Sequence, residues 1–317
     1  MSRSSSWVMA GPGLDVAQNV EPTDGLRLSD VRKLGRRAVR SVAGAARVED
    51  RVTFSKLLTA HLGVSTTELD VVEETWPAYD QVNVQAGLDA WLAIDGREHD
   101  IEGVVNFRHR EFGLSELMRG GDRHWLDLPS PGNVSRKNLP CGPGGQVRAC
   151  VRCALYLVSE GTVRAALLVR APGMDMDSSS ASVQVVANEP DAAERMAAEI
   201  RDLAVVHNVY RGQVVSFDGD MFGERATVLS FHTRSRMAAD DLILPGGTLA
   251  TIERQVVGIA KHREQLLAAR QHLKRGLLLY GPPGVGKTHT VRYLISQLTG
   301  TTIVELSVAA LHLIGQA

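Results

Sequence analysis

Gly281-Pro282-Pro283-Gly284-Val285-Gly286-Lys287-Thr288 fits the pattern G-x-x-x-x-G-K-[ST] at every fixed position. From average residue usage, a chance match in a chain of 317 residues is about one in a hundred. The flanks carry the same message. Leu277-Leu278-Leu279-Tyr280 is a short all-apolar run, which predicts a buried strand of the parallel kind. Thr288 to Leu298 predicts a helix, so strand, loop and helix follow in the order this motif requires. Each residue type has a physical reason. Gly281, Gly284 and Gly286 let the backbone turn so that successive N–H groups point into one concavity. The concavity lies at a helix N-terminus, where the dipole favours anions. Lys287 extends a point charge towards β- and γ-phosphates. The Thr288 hydroxyl suits Mg²⁺, which prefers oxygen ligands and substrate phosphate. A nucleoside triphosphate site is the expectation, and a Gly-rich turn with a solvated lysine is the bland alternative.

Working outward, Tyr280 to Thr288 resembles the AAA group of ATPases, whose loop usually reads G-P-P-G-T-G-K-T. Val285 is the departure, at a position whose backbone matters more than its side chain. The approach His272-Leu273-Lys274-Arg275-Gly276 into Leu277–Tyr280 is also similar. The resemblance covers roughly residues 240–317 and leaves 1–232 without a counterpart. It implies an incomplete α/β P-loop NTPase module at the C-terminus, behind a mixed α+β N-terminal region. It also implies ATP and Mg²⁺ as cofactors, held by Gly281, Pro282, Pro283, Gly284, Val285, Gly286, Lys287 and Thr288, with Thr288 on the metal. By the same resemblance the intact protein is a hexamer-type ring that hydrolyses ATP and remodels or threads a protein substrate, which the N-terminal region recruits. Thr301 to Leu306 would be the second strand of the module. Leu313, Ile314 and Gly315 would be its pore loop, with Leu313 in place of the usual aromatic. Plain core packing of Leu311, Leu313 and Ile314 stays open beside that reading.

Hydrolysis asks for more than phosphate binding. A carboxylate must support Mg²⁺, a second acid must orient water, and a polar sensor and a neighbour's arginine must stabilise the transition state. After Thr288 the sequence holds one acid, Glu305, and no Asp. Glu305 falls inside the expected second strand and not at the end of an apolar run. The sequence therefore reads as a fragment that stops before the hydrolytic half, and no turnover is expected of it as given. In the resembled sheet order, five-one-four-three-two, both surviving strands would keep unpaired apolar edges. Two rivals remain: another P-loop enzyme such as a small-molecule kinase, and a non-catalytic N-terminal binding module with an idle loop. The double proline and the long helix before Leu277 speak against the kinase.

The bulk composition sets the wider frame. An apolar fraction of 44% and a charged fraction of 22% are those of an ordinary globular chain. A net charge of −1 gives no global pull towards nucleic acid. No run approaches the ~18 apolar residues of a membrane span. Met1 to Gly13 lacks the apolar stretch of a signal peptide, and three cysteines suit a reducing cytoplasm. The chain divides by reading into a flexible basic arm (1–50), a helical region and Pro/Gly loop (51–149), a small α+β domain (150–232), a linker (233–247) and the ATPase segment (248–317). Arg32, Arg36 and Arg40 form a stripe on one helical face, read as solvated. Val151–Val158 and Thr162–Arg170 predict a hairpin, followed by a strand over 182–187 and a helix after Pro190. Cys141, Cys150 and Cys153, with His124 upstream, offer zinc, a redox pair or buried structural thiols, and the last reading is preferred because a zinc site needs four such ligands. Phe107-Arg108-His109-Arg110-Glu111 reads as solvated surface, with a phosphate-contacting patch as its alternative.

Overall fold

Thr53 caps a helix by accepting a hydrogen bond from the Lys56 N–H (3.4 Å), and Gly63 closes the helix in the left-handed conformation. A computed structural model describes residues 53–66, 69–106, 112–119, 129–173, 180–218 and 228–306. The basic arm, His124, the 107–111 run and the pore-loop residues Leu313, Ile314 and Gly315 lie outside the described residues. The first helix, α1 (Phe54–Leu62), is followed by β1 (Val72–Pro77), α2 (Gln81–Leu92), β2 (Arg97–Val105) and α3 (Leu114–Arg119). Then come β3 (Ser130–Gly132), β4 (Ser135–Pro140), β5 (Val147–Glu160), β6 (Val163–Arg170), β7 (Ser180–Ala187) and α4 (Ala192–Val206). The chain continues through β8 (Val214–Asp218), β9 (Val228–His232), α5 (Thr248–Lys261), α6 (Arg263–Ala268), α7 (Lys287–Gln297) and β10 (Ile303–Leu306).

Seven strands make one antiparallel sheet in the order β1-β7-β6-β5-β2-β3, with β4 pairing the first half of β5. Helices cover both faces. Leu167, Val169, Val183 and Val185 pack under α2 and α4 together with Trp91, Met196 and Ile200. Leu155, Leu168 and Val186 pack on α1 and α3 with Phe54, Leu58 and Leu114. Double coverage explains why Val163–Arg170 reads as a nearly continuous apolar run and not as an alternation.

The hairpin, the following strand and the helix after Pro190 form where the sequence places them, with Gly161 at φ 59° in the turn. Two groupings differ from the reading. Residues 51–93, read as largely helical, do hold the helices α1 and α2, but β1 lies between them and pairs with β7. The Pro/Gly stretch 129–149 is not a plain loop, because β4 pairs with β5 and Gly144 and Gly145 turn the chain between them. In addition, β8 and β9 do not extend the large sheet, as grouping 150–232 together would suggest. They form a second sheet with β10, in the order β10-β8-β9, in which β10 runs parallel to β8. All these elements belong to one compact unit, Val52–Ala317. The Asn83 side-chain Oδ1 accepts from the Val209 N–H (2.9 Å), and the Tyr79 and Phe217 rings meet edge to face at 5.3 Å, so the second sheet abuts the first body.

Candidate functional site: the loop 281–288 and its helix

Gly284 and Gly286 sit at φ 83° and 86°. Side chains other than glycine rarely adopt these angles, so the turn into α7 depends on these two residues. Gly286 is the N-cap of α7 and has no side chain to engage the first-turn N–H groups. Those donors stay available at the positive end of the helix. Lys287 is the first helical residue. Its ammonium lies back across the loop and donates to the carbonyls of Gly281 (2.9 Å) and Pro282 (2.8 Å). These are two neutral acceptors, which phosphate oxygens would replace with stronger, charge-assisted bonds. Thr288 is exposed, and Thr290 is buried with its hydroxyl bonded to the Gly286 carbonyl (3.0 Å). The structure thus brings Gly281, Pro282, Gly286 and Lys287 together around one turn, with Thr288 beside them.

The helix is held from behind. Tyr293 and Leu294 pack on Ile252 and Val257 of α5, with Leu279 partly buried against the same cluster. The Tyr293 hydroxyl donates to the Glu253 carboxylate. This bond, followed by burial, pushes the phenol up to about 12. The preceding segment departs from expectation. Leu277–Tyr280 is not a strand, and Leu278 and Tyr280 are 85% and 90% exposed. A strand exists only against a partner's N–H and C=O groups, and no described strand lies beside these four residues. The second strand does form, as β10, but it pairs with β8. Glu305 is exposed on it, in register with Ser216.

Arg234, two residues after β9, carried no signal in the sequence. Its guanidinium donates to the carbonyls of Ile295 (2.5 Å) and Leu298 (3.0 Å) at the end of α7. It also donates to the carbonyls of Gly212 (3.2 Å) and Thr301 (2.8 Å). The cysteines stand apart from this region. Cys150 and Cys153 are buried, and Cys141 is half-buried. Burial pushes the Cys150 thiol up to about 12, which makes it a poor nucleophile. Among the described residues no group of three or more His, Cys, Asp or Glu is placed to hold a metal ion.

The loop turns directly into the helix, whose first residue is Lys287. Residues 277–317 match the family model described as ATPase family associated with various cellular activities (AAA). The match supports an AAA-family ATPase module over these residues, a family whose members bind ATP with Mg²⁺. A comparison with curated proteins finds no match. No helix of the described residues is long and apolar enough to cross a membrane.

Proposed function

We propose that residues 281–288 bind ATP with Mg²⁺ as the nucleotide site of an AAA-type ATPase. Lys287 serves the β- and γ-phosphates, and the Thr288 hydroxyl serves the metal. The observation that carries the reading is the geometry of one turn. Two left-handed glycines lead into an uncapped helix start, and the lysine at its first position lies back across the same loop. That is an anion cradle with a cation beside it. In this reading the protein works as a hexamer-type ring in the cytoplasm, and the antiparallel sheet with its four covering helices engages the protein substrate. Residues 289–317 contain one acid, Glu305, which is exposed on β10.

The metal assignment has its own test. ATP titrated with and without Mg²⁺ should bind more tightly with the metal in the natural sequence. Thr288→Ala should remove most of that Mg²⁺-dependent gain, about 1 kcal/mol or somewhat more for a hydrogen-bonding group lost to a charged partner. A full Mg²⁺ effect in Thr288→Ala would remove Thr288 from the metal site.

A further inference from the structure

A helix whose first turn meets phosphate can transmit that contact only through whatever holds its other end. The last carbonyls of any helix lack intrahelical partners. Water, a following glycine or a cation commonly satisfies them. A simple cap would spend its donors on the helix alone. Arg234 gives only two of its four bonds to α7, at Ile295 and Leu298. The other two go to Gly212 and Thr301. Gly212 leads into β8, and Thr301 leads into β10. The same junction is tied twice more, by the Gly212 N–H on the Thr302 hydroxyl (3.0 Å) and the Ile303 N–H on the Gln213 carbonyl (2.9 Å).

From these contacts we infer that Arg234 is a positioning residue that couples occupancy of the 281–288 loop to the β10-β8-β9 sheet. The inference rests on the nucleotide-binding reading above. A planar guanidinium presents five donors in a fixed fork, so it can hold two helix carbonyls on one edge and two strand-entry carbonyls on another. An ammonium has three donors on a flexible stem and cannot reproduce that span. The helix between loop and clamp has 11 residues, about 16 Å of rigid rod. Tightening its first turn around phosphate limits the motion of its last turn, and the clamp passes that restraint to the two strands. Beyond them, Phe217 touches Tyr79 of the first body, so the restraint reaches the border of the N-terminal sheet and helices.

Hydrogen exchange of the 1–317 chain, with and without Mg·ATP, separates coupling from capping. In the natural sequence the nucleotide should slow exchange in the first turns of α7. It should also slow exchange across 212–217 and 303–306, by about fivefold or more, the lower end of ordinary coupling between sites. In Arg234→Lys the effect on α7 should persist and the effect on the two strands should vanish. A purely structural cap gives a different pattern: faster exchange of the strands with and without nucleotide, and an unchanged nucleotide-dependent increment. That pattern, or full strand slowing in Arg234→Lys, would overturn the inference. Arg234→Ala provides a larger change, and Arg234→Lys retains the charge should the alanine variant fail to fold. Calorimetry on the same samples distinguishes the two layers. Absence of ATP binding to the natural sequence overturns the nucleotide reading and this inference with it. Binding without strand slowing in the natural sequence overturns the inference alone.

Discussion

Arg97 is almost completely buried, with 3% of its side chain exposed, and two carboxylates share it. It pairs with Glu160 at 3.1 Å and Glu199 at 2.6 Å, and its guanidinium lies 4.1 Å from the Trp91 ring centre. The Trp91 indole N–H donates to the same Glu199 (2.8 Å), and Arg195 serves both acids from the outside. Burial by itself would raise the pKa of Glu199. Hydrogen bonds from Trp91, Arg97 and Arg195 outweigh it and hold the group below its ordinary 4.5. The linkage has a definite sign. A carboxylate with a depressed folded pKa adds stability that is complete above 4.5 and lost as pH falls through the lower folded value. Glu199→Gln should therefore be less stable than the natural sequence at neutral pH, and urea midpoints should show the gap narrowing as pH drops below 4.5. A gap that does not change with pH would contradict the shift. At this scale the sequence was uneven in what it disclosed. The turn at Gly286 and the helix start at Lys287 were legible because the loop motif fixes residue type and spacing together. Arg97 and Arg234 were not, because an arginine's partners are set by chain segments distant in sequence.

The helices α2 and α4 cross closely at Gly87. A Cβ added to Gly87 would fall 2.4 Å from the Ala204 backbone N and 2.6 Å from its Cα. In an isolated helix Gly→Ala is stabilising by up to about 1 kcal/mol. Here the sign should reverse. Gly87→Ala must push two backbones apart, with an expected cost of about 1–3 kcal/mol by denaturant titration. A stabilised Gly87→Ala variant would mean that the helices do not meet at this point. Among the elements, β5, β6 and β7 and the helix after Pro190 were readable because local patterns and turn residues mark them. The strand β2 was not. Its first half, Arg97-Glu98-His99-Asp100, is strongly charged, and its pairing with β5 crosses more than fifty residues of chain. Strand preference is written in such partners more than in local residues. Leu277–Tyr280 makes the converse point: an apolar run supplies the side chains for a buried strand, yet the strand also needs a neighbour to pair with.

At the scale of the whole molecule, a large three-layer body and a small segment carrying the loop 281–288 meet through the second sheet. The cores differ greatly in size. The sheet has extensive apolar clusters on both faces, whereas α5 and α7 share only Ile252, Val257, Tyr293 and Leu294 as buried members. The central claim concerns binding, and calorimetric titration of Mg·ATP into the natural chain and into Lys287→Ala tests it most directly. The lysine makes a charge-assisted contact worth roughly 1.5–3 kcal/mol, so its loss should weaken ATP binding about ten- to a hundredfold. Equal affinity in the two proteins would contradict the assignment of residues 281–288 as the nucleotide site.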